Sequence, residues 1–391
     1  MPIVVFVLGV AVFAQGTSEF MLSGLLEPVA AATGVSLGAA GLLTSLFAVG
    51  MIVGAPLMAM TAGRWPVRNA LAGFLSLFLT AHVIGALTTT FAVLLLTRVV
   101  AAVANAGFLA VTLAALAGLV GPHRVGRATS VILSGITLAC IVGVPAGAFL
   151  GRALGWQAAF WAIVFVGAPA LVATWLLVRT PVDHAALVDQ GAESGGSIRR
   201  EWRTLGNPHV RAILILGALV NAATFAAFTY LGVLTTSAGA GTGWVPVVLA
   251  LFGIGSFAGV TLSGRYADRH AQRIVQLGTV TLLAAWSTTA LLADSLPGLL
   301  VLATIGGALS FAVGATLIGL AVRAATPTAP RLSGAFATAA FNLGAAAGPA
   351  LAGLTITATG TPTAALWISA ALAAAATATA LLHPKSHPST R

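Results

Sequence analysis

About twelve apolar runs, each near twenty residues and almost free of charge, dominate this chain, at roughly 3–26, 39–60, 70–89, 91–119, 128–151, 157–178, 211–235, 244–263, 274–293, 298–322, 332–356 and 364–382. A helix of ~20 apolar residues crosses the ~30 Å hydrocarbon core of a bilayer, and it satisfies its own backbone polar groups where no water can. Composition supports that reading. Charged residues make up 7% of the chain, against roughly 25% in an average soluble domain. A soluble fold so poor in charge could not cover its surface. The start at Met1-Pro2-Ile3-Val4 has no basic segment ahead of the first run, and that run is too long for the core of a cleavable signal.

The net charge of +10 would invite a nucleic-acid partner in a soluble protein, and the positions of the charges reject one. With the N-terminus inside, the cytoplasm holds Arg64, Arg68, Arg124, Arg127, Arg179, Arg199, Arg200, Arg203, Arg211, Arg265, Arg269, Arg273, Arg323, Arg331, Lys385 and Arg391, which is 16 of the 18 basic residues. Only Arg152 falls outside, and Arg98 lies within a run. This positive-inside asymmetry predicts a multi-pass cell-membrane protein with both termini cytoplasmic. Cys140 is the single cysteine, so neither an internal disulfide nor a cysteine-based metal site is expected. The sequence carries no P-loop and no metal-ligand cluster. No cofactor or metal is expected, and pumping driven by ATP bound to this chain alone is excluded. No paired catalytic groups point to an enzyme.

The runs repeat. Leu46-Phe47-x-x-Gly50-x-x-x-Gly54 recurs as Leu251-Phe252-x-x-Gly255-x-x-x-Gly259, an offset of 205 residues, and the same offset pairs Arg64 with Arg269 and Arg68 with Arg273. At an offset of 204, Arg127 and Pro145 match Arg331 and Pro349. A lone Gly-x-x-x-Gly says little beyond close helix approach; two matching sets in order along the chain say more. The expected fold is an all-α membrane protein of twelve transmembrane helices in two pseudo-symmetric six-helix bundles, residues 1–178 and 211–382. A cytoplasmic linker at 179–210 joins them and a cytoplasmic tail covers 383–391. The linker is expected to be partly flexible and partly an interfacial helix around 198–205. Two parallel six-helix repeats are an architecture of secondary transporters.

Glu19 is the one acidic residue well inside a run. A charged group at mid-membrane costs roughly 2.5–3.5 kcal/mol on insertion scales, and a low dielectric favours the neutral form of an acid. An acid placed there is suited to carrying a proton; its bland alternative is a protonated side chain bonded to a neighbouring helix. Gln15, Glu19 and Ser23 make a polar stripe at i, i+4, i+8 that should face a cavity. Arg98, the one intramembrane base, either snorkels to the outer interface or couples electrostatically to the proton site. Asn105, two turns further on the same face, is then a cavity residue. Asn221, Thr224, Phe225 and Phe228 share a helix face. Phe311 with Ser310, and Asn342 with Phe341, offer similar polar-aromatic pairs. His82, in an apolar stretch of the third run, is expected to be structural.

Several motifs resemble a known family. Gly264-Arg265-Tyr266-Ala267-Asp268-Arg269-x-x-x-Arg273 resembles the signature loop of the major facilitator superfamily, in which an aspartate and arginines latch the cytoplasmic side. The first copy keeps Arg64 and Arg68 but has Gly63 at the aspartate position. Arg98 with Ala101-Ala102 is similar to the family's helix 4 motif, where Gln-Gly is usual, and Gly143-Val144-Pro145-Ala146-Gly147 to the bend of its drug/proton antiporters. The stretches Gln15–Leu26, Gly50–Leu57, Ala104–Val111, Gly217–Phe225, Leu309–Gly314 and Phe336–Pro349 together resemble the actinobacterial chloramphenicol resistance exporters, over all but the central loop and tail. The resemblance implies proton-driven efflux of chloramphenicol or a similar small amphipathic compound by a monomer in membrane lipid. The alternative is a sugar or other metabolite moved by the same mechanism.

Overall fold

The computed structural model describes residues 1–61, 65–178, 201–329 and 332–382, which are helical almost throughout and contain no strand. Arg64, most of the linker and the tail lie outside the described residues. The first helices are α1 (Ile3–Phe20), α2 (Leu26–Thr33), α3 (Leu37–Thr61), α4 (Val67–Leu87) and α5 (Phe91–Val120). The sixth to eighth are α6 (Val125–Leu138), α7 (Val144–Ala153) and α8 (Gln157–Leu177). After the linker come α9 (Pro208–Thr229), α10 (Leu231–Ser237), α11 (Trp244–Leu291), α12 (Leu296–Ala325), α13 (Ser333–Thr359) and α14 (Ala364–Leu382).

Among the described residues eleven stretches are long and apolar enough to cross a membrane, and the difference from twelve has one cause. The eighth and ninth runs form the two arms of the 48-residue α11, which breaks at His270 (φ −132°, ψ 22°). About twelve crossing segments result. Their outward faces are apolar: Leu96, Phe165 and Leu354 are 63%, 74% and 70% exposed, as lipid-facing side chains are.

Helices in lipid gain little from hiding apolar area from one another, so small residues that let backbones touch decide the packing. The repeated motif does this work in both parts of the chain. A Cβ at Gly50 would stand 2.8 Å from the Val99 carbonyl, and one at Gly54 3.0 Å from the Val103 Cα. A Cβ at Gly255 or Gly259 would run into the carbonyls of Thr304 and Ala308. Val99 to Thr304 and Val103 to Ala308 keep the 205-residue offset. The contact surface repeats as well as the motif: α3 sits on α5 as α11 sits on α12. Likewise Gly135 abuts α1 at Gly9 and Phe13, and Gly344 and Gly348 abut α9 at Ala218 and Ala222.

The expected bend in the fifth span is a π-turn, Ala139–Gly143, between α6 and α7. Pro145 has no N–H to give to the carbonyl four residues back, and the helix absorbs the mismatch with a wider turn. Gly143 packs on the Thr17 side chain there, and Gly147 lies against Met21. The first span also breaks, through a 3-10 turn at Met21–Gly24 before α2, as does the seventh at Tyr230 between α9 and α10. The described end of the linker is a 3-10 turn, Trp202–Gly206, and the start of the expected interfacial helix lies outside the described residues. It fastens to the α12–α13 connection: Glu201 accepts the Leu332 N–H at 3.1 Å, Thr204 donates to Thr328 at 3.0 Å, and Trp202 meets Phe336 edge-on.

At the end of the molecule where α1 finishes, the two parts of the chain are sealed together. Thr236 donates to Glu27 at 2.5 Å. Tyr230 lies on Gly41 while donating to the Pro349 carbonyl at 3.1 Å, Gly232 meets the Ser23 carbonyl, and Gly38 meets Gly353. One core is built wholly from residues 4–178. A second joins the C-terminal helices to Phe20, Ala48, Cys140, Val144 and Ala148.

Gly255→Val should therefore destabilise the protein by about 2 kcal/mol, the usual scale of overpacking, and lower its melting temperature in detergent. Gly264→Ala should not lower melting, since a Cβ there meets nothing within 4 Å and alanine favours the helix over glycine.

Candidate functional site

A cavity of about 410 Å³ lies between the two parts of the chain, walled by α1, α6, α9, α11, α12 and α13. Its position follows from the seal. The walls include Leu133 in the first half of the fifth span, Ile318 late in α12 and Phe341 early in α13, so the space extends away from the sealed end. Glu19, half-buried in the last turn of α1, is the carboxylate on its wall. Phe20 beside it starts an aromatic chain across the two parts: Phe225 at 5.9 Å, Phe228 at 6.1 Å, then Phe228 to Phe252 at 4.6 Å and Phe252 to Phe311 at 6.2 Å. These rings close the sealed side of the cavity.

Most polar side chains on the wall already have partners. The Thr224 and Ser256 hydroxyls donate to carbonyls one turn back, at 2.9 and 2.8 Å. Asn221 gives its amide to the Phe341 carbonyl at 2.7 Å, and Asn342 to Thr338 at 2.9 Å. The buried Ser310 hydroxyl has no partner. A ligand in this space would meet aromatic faces, the Glu19 carboxyl, the Thr137 and Ser310 hydroxyls and the amide oxygens of two asparagines.

Arg98 does not reach an interface. It is 1% exposed, donates from Nη1 to Ser18 Oγ and from Nη2 to the Ser18 carbonyl, each at 2.8 Å, and lies over the Phe47 ring at 4.3 Å. Among the described residues it forms no ion pair with Glu19 within 4.0 Å, yet it is anchored on the residue next to it. Ser18 Oγ is also 2.7 Å from His82 Nε2, and His82 Nδ1 is 2.7 Å from the Phe78 carbonyl.

Of the expected cavity residues, the structure brings Glu19, Asn221, Phe225, Phe311 and Asn342 to one wall. It takes Gln15, Asn105 and Phe228 elsewhere. Gln15 is buried without a partner for its amide, one turn before the part of α1 that meets the space, Glu19 and Phe20. Asn105 donates to Met51 Sδ at 3.6 Å, inside the α3–α5 contact that the glycines create. Phe228 packs behind the wall as the link between Phe20 and Phe252.

The model of the Major Facilitator Superfamily matches residues 8–328. The chain belongs to that superfamily. It is accordingly a membrane transporter, with the all-α fold of the superfamily and roughly twelve spanning helices. The "Chloramphenicol resistance protein" of Streptomyces lividans is 49% identical over 377 residues, covering 96% of this chain and 95% of that protein. The "Inner membrane transport protein YdhP" of Escherichia coli (strain K12) is 32% identical over 352 residues, covering 90% and 88%. Among solved structures, a D-xylose-proton symporter superposes with a TM-score of 0.77 at 16% identity over 98% of this chain and 97% of that one, a likeness of fold alone.

The signature-loop residues of the superfamily fall at the open end. Asp268 lies 4.0 Å from Arg323 of α12, with the two side chains 88% and 54% exposed. An exposed pair of that kind contributes little by itself. Arg68 stacks on Trp175 at 3.9 Å, tying α4 to α8. Thr137, Cys140, Ser256 and Phe257 also line the cavity and escaped the sequence reading. Phe252 stands in the repeated Leu-Phe motif and Phe20 beside the lone acid, the only signals that pointed to them.

With Cys140→Ala as background, Asn342→Cys and Ser310→Cys should react with a polar thiol reagent at the open end. Gln15→Cys and Asn105→Cys should stay unlabelled. The check is mass-spectrometric labelling of protein in native membranes.

Proposed function

We propose that the protein is a drug/proton antiporter that exports chloramphenicol or a similar neutral amphipathic compound and so confers resistance. The observation carrying this reading is a lone carboxylate, Glu19, on the wall of a mostly apolar cavity shared by the two parts of the chain. A space of this size suits a drug-sized ligand held by apolar walls and a few polar groups. The similarity to the Streptomyces lividans protein supports the choice of compound. The scarcity of unspent polar groups argues against a sugar: Thr224, Ser256 and the amide groups of Asn221 and Asn342 are occupied within the protein.

Residues 1–178 and 211–382 act as two rigid bundles that rock around the cavity, with the linker and both termini in the cytoplasm. In that orientation the sealed end is external, and the cavity opens inward, ready to load drug from the cytoplasm. Glu19 takes a proton when exposed outside and gives it up inside, while Arg98 supplies the neighbouring positive charge. One charge crossing ~100 mV is worth about 2.3 kcal/mol, enough for a roughly 50-fold gradient of a neutral substrate per proton. Asp268 and Arg273 of α11 steady the inner end when it closes.

Cells expressing the chain should accumulate less chloramphenicol than controls, and a protonophore should abolish the difference. Glu19→Gln should raise accumulation to the control level at equal expression; undiminished export in that variant would refute the proton role. Ser310→Ala removes one hydrogen bond, worth about 0.5–1.5 kcal/mol, and should raise KM about 2- to 10-fold with little change in maximal rate.

A further inference from the structure

We propose that His82 is a positioning residue for proton coupling, holding the Arg98 guanidinium on Ser18 and off the Glu19 carboxylate. The inference rests on the proton-carrying reading of Glu19 and adds to it a residue from a third helix.

Donor and acceptor counting fixes the arrangement. Arg98 only donates, so Ser18 Oγ accepts from its Nη1. The single Ser18 hydroxyl proton then needs an acceptor, and His82 Nε2 stands 2.7 Å away. His82 Nδ1 carries the ring proton and gives it to the Phe78 carbonyl at 2.7 Å. Every hydrogen in the chain Arg98, Ser18, His82, Phe78 thus points one way, and the Ser18 lone pair faces the guanidinium. A serine inside a helix otherwise turns its hydroxyl to its own helix carbonyl. His82 Nε2 prevents that.

The site is closed around this chain. Ser18 is 0%, Arg98 1% and His82 2% exposed. The imidazole is wedged between the Phe78 and Phe160 rings, at 4.2 and 5.7 Å. The titratable groups around it are Glu19 on α1, Arg98 on α5 and Cys140, which lines the cavity with Glu19. The faces of α3 and α8 turned toward it bring Phe47 and Phe160. A guanidinium so enclosed has two resting places within its reach, the Ser18 hydroxyl and carbonyl or the carboxylate on the next residue. While Arg98 stays on Ser18, Glu19 is free to hold a proton. Once the carboxylate forms, Arg98 can move to it, and reprotonation sends it back. His82 sets that balance by keeping the Ser18 site attractive.

The test compares the pH profile of chloramphenicol export in vesicles for the parent, His82→Phe and His82→Gln. Phenylalanine keeps the ring between Phe78 and Phe160 but has no acceptor; the glutamine side-chain oxygen restores an acceptor near the Nε2 position. With phenylalanine, Arg98 should settle on the carboxylate and make proton uptake harder, moving the profile toward acid by at least about one pH unit. Glutamine should return it to the parent position. Should His82→Phe fail to fold, Ser18→Ala removes the hydroxyl itself and should give the same acid shift. An unshifted or alkaline profile in His82→Phe or Ser18→Ala, or an acid shift shared equally by His82→Gln, would overturn the positioning role. Glu19→Gln separates the two ideas. If it retains proton-dependent export, the reading of Glu19 falls. If it loses export while His82→Phe keeps the parent profile, only the role of His82 falls.

Discussion

Close backbone contact at glycine is the constraint from which the rest of this structure follows. Two apolar helices surrounded by lipid tails have little reason to prefer each other to the solvent, so what joins them is dispersion between surfaces that truly touch. Gly50, Gly54, Gly255 and Gly259 bring α3 onto α5 and α11 onto α12 closely enough that a single added carbon would strike a neighbour. The same device seats α6 on α1 and α13 on α9. Because partners as well as glycines keep the 205-residue spacing, the two parts of the chain are built on one plan. The cavity is the space left where that plan meets its copy.

Polar groups inside such a structure have no water to fall back on, and each is either satisfied or kept for use. Most serines and threonines along the spans return their hydroxyl to a carbonyl one turn back. That leaves the wall of the cavity chemically quiet apart from Glu19, Thr137, Ser310 and the two asparagines. Arg98 is the costliest group to bury. Its placement needs Ser18 from α1, Phe47 from α3 and, through Ser18, His82 from α4. Four helices are therefore committed to one guanidinium, and it is anchored on Ser18, the residue next to Glu19.

Much of the architecture was legible from the residues. Run length and charge poverty dictated membrane helices, and the repeat dictated a duplicated plan. Pro145 flanked by glycines marked the bend in the fifth span, although the π-turn that makes it is a matter of backbone geometry. Single polar residues in apolar surroundings drew attention to Glu19, Arg98, Asn221 and Asn342 because burial of a polar group is costly wherever it occurs. Helical periodicity was a poorer guide to what those residues face. It assigned Gln15 to the cavity with Glu19, since the two share a helix face, but of α1 only Glu19 and Phe20 line that space and Gln15 is buried one turn earlier. It marked His82 as structural but could not name its partners, because nothing in the order of residues places Ser18 and Arg98 beside it.

The sequence by itself determined the solvent of this protein, the number of crossings and the positions of its rare charges, because each of these depends on local composition along one helix. Tertiary structure decided which end is sealed, which turn of α1 meets the cavity and which partner Arg98 takes. Those outcomes depend on how helices far apart in the chain approach and cross, and an approach of a few ångströms between backbones is set by the surfaces of both helices together.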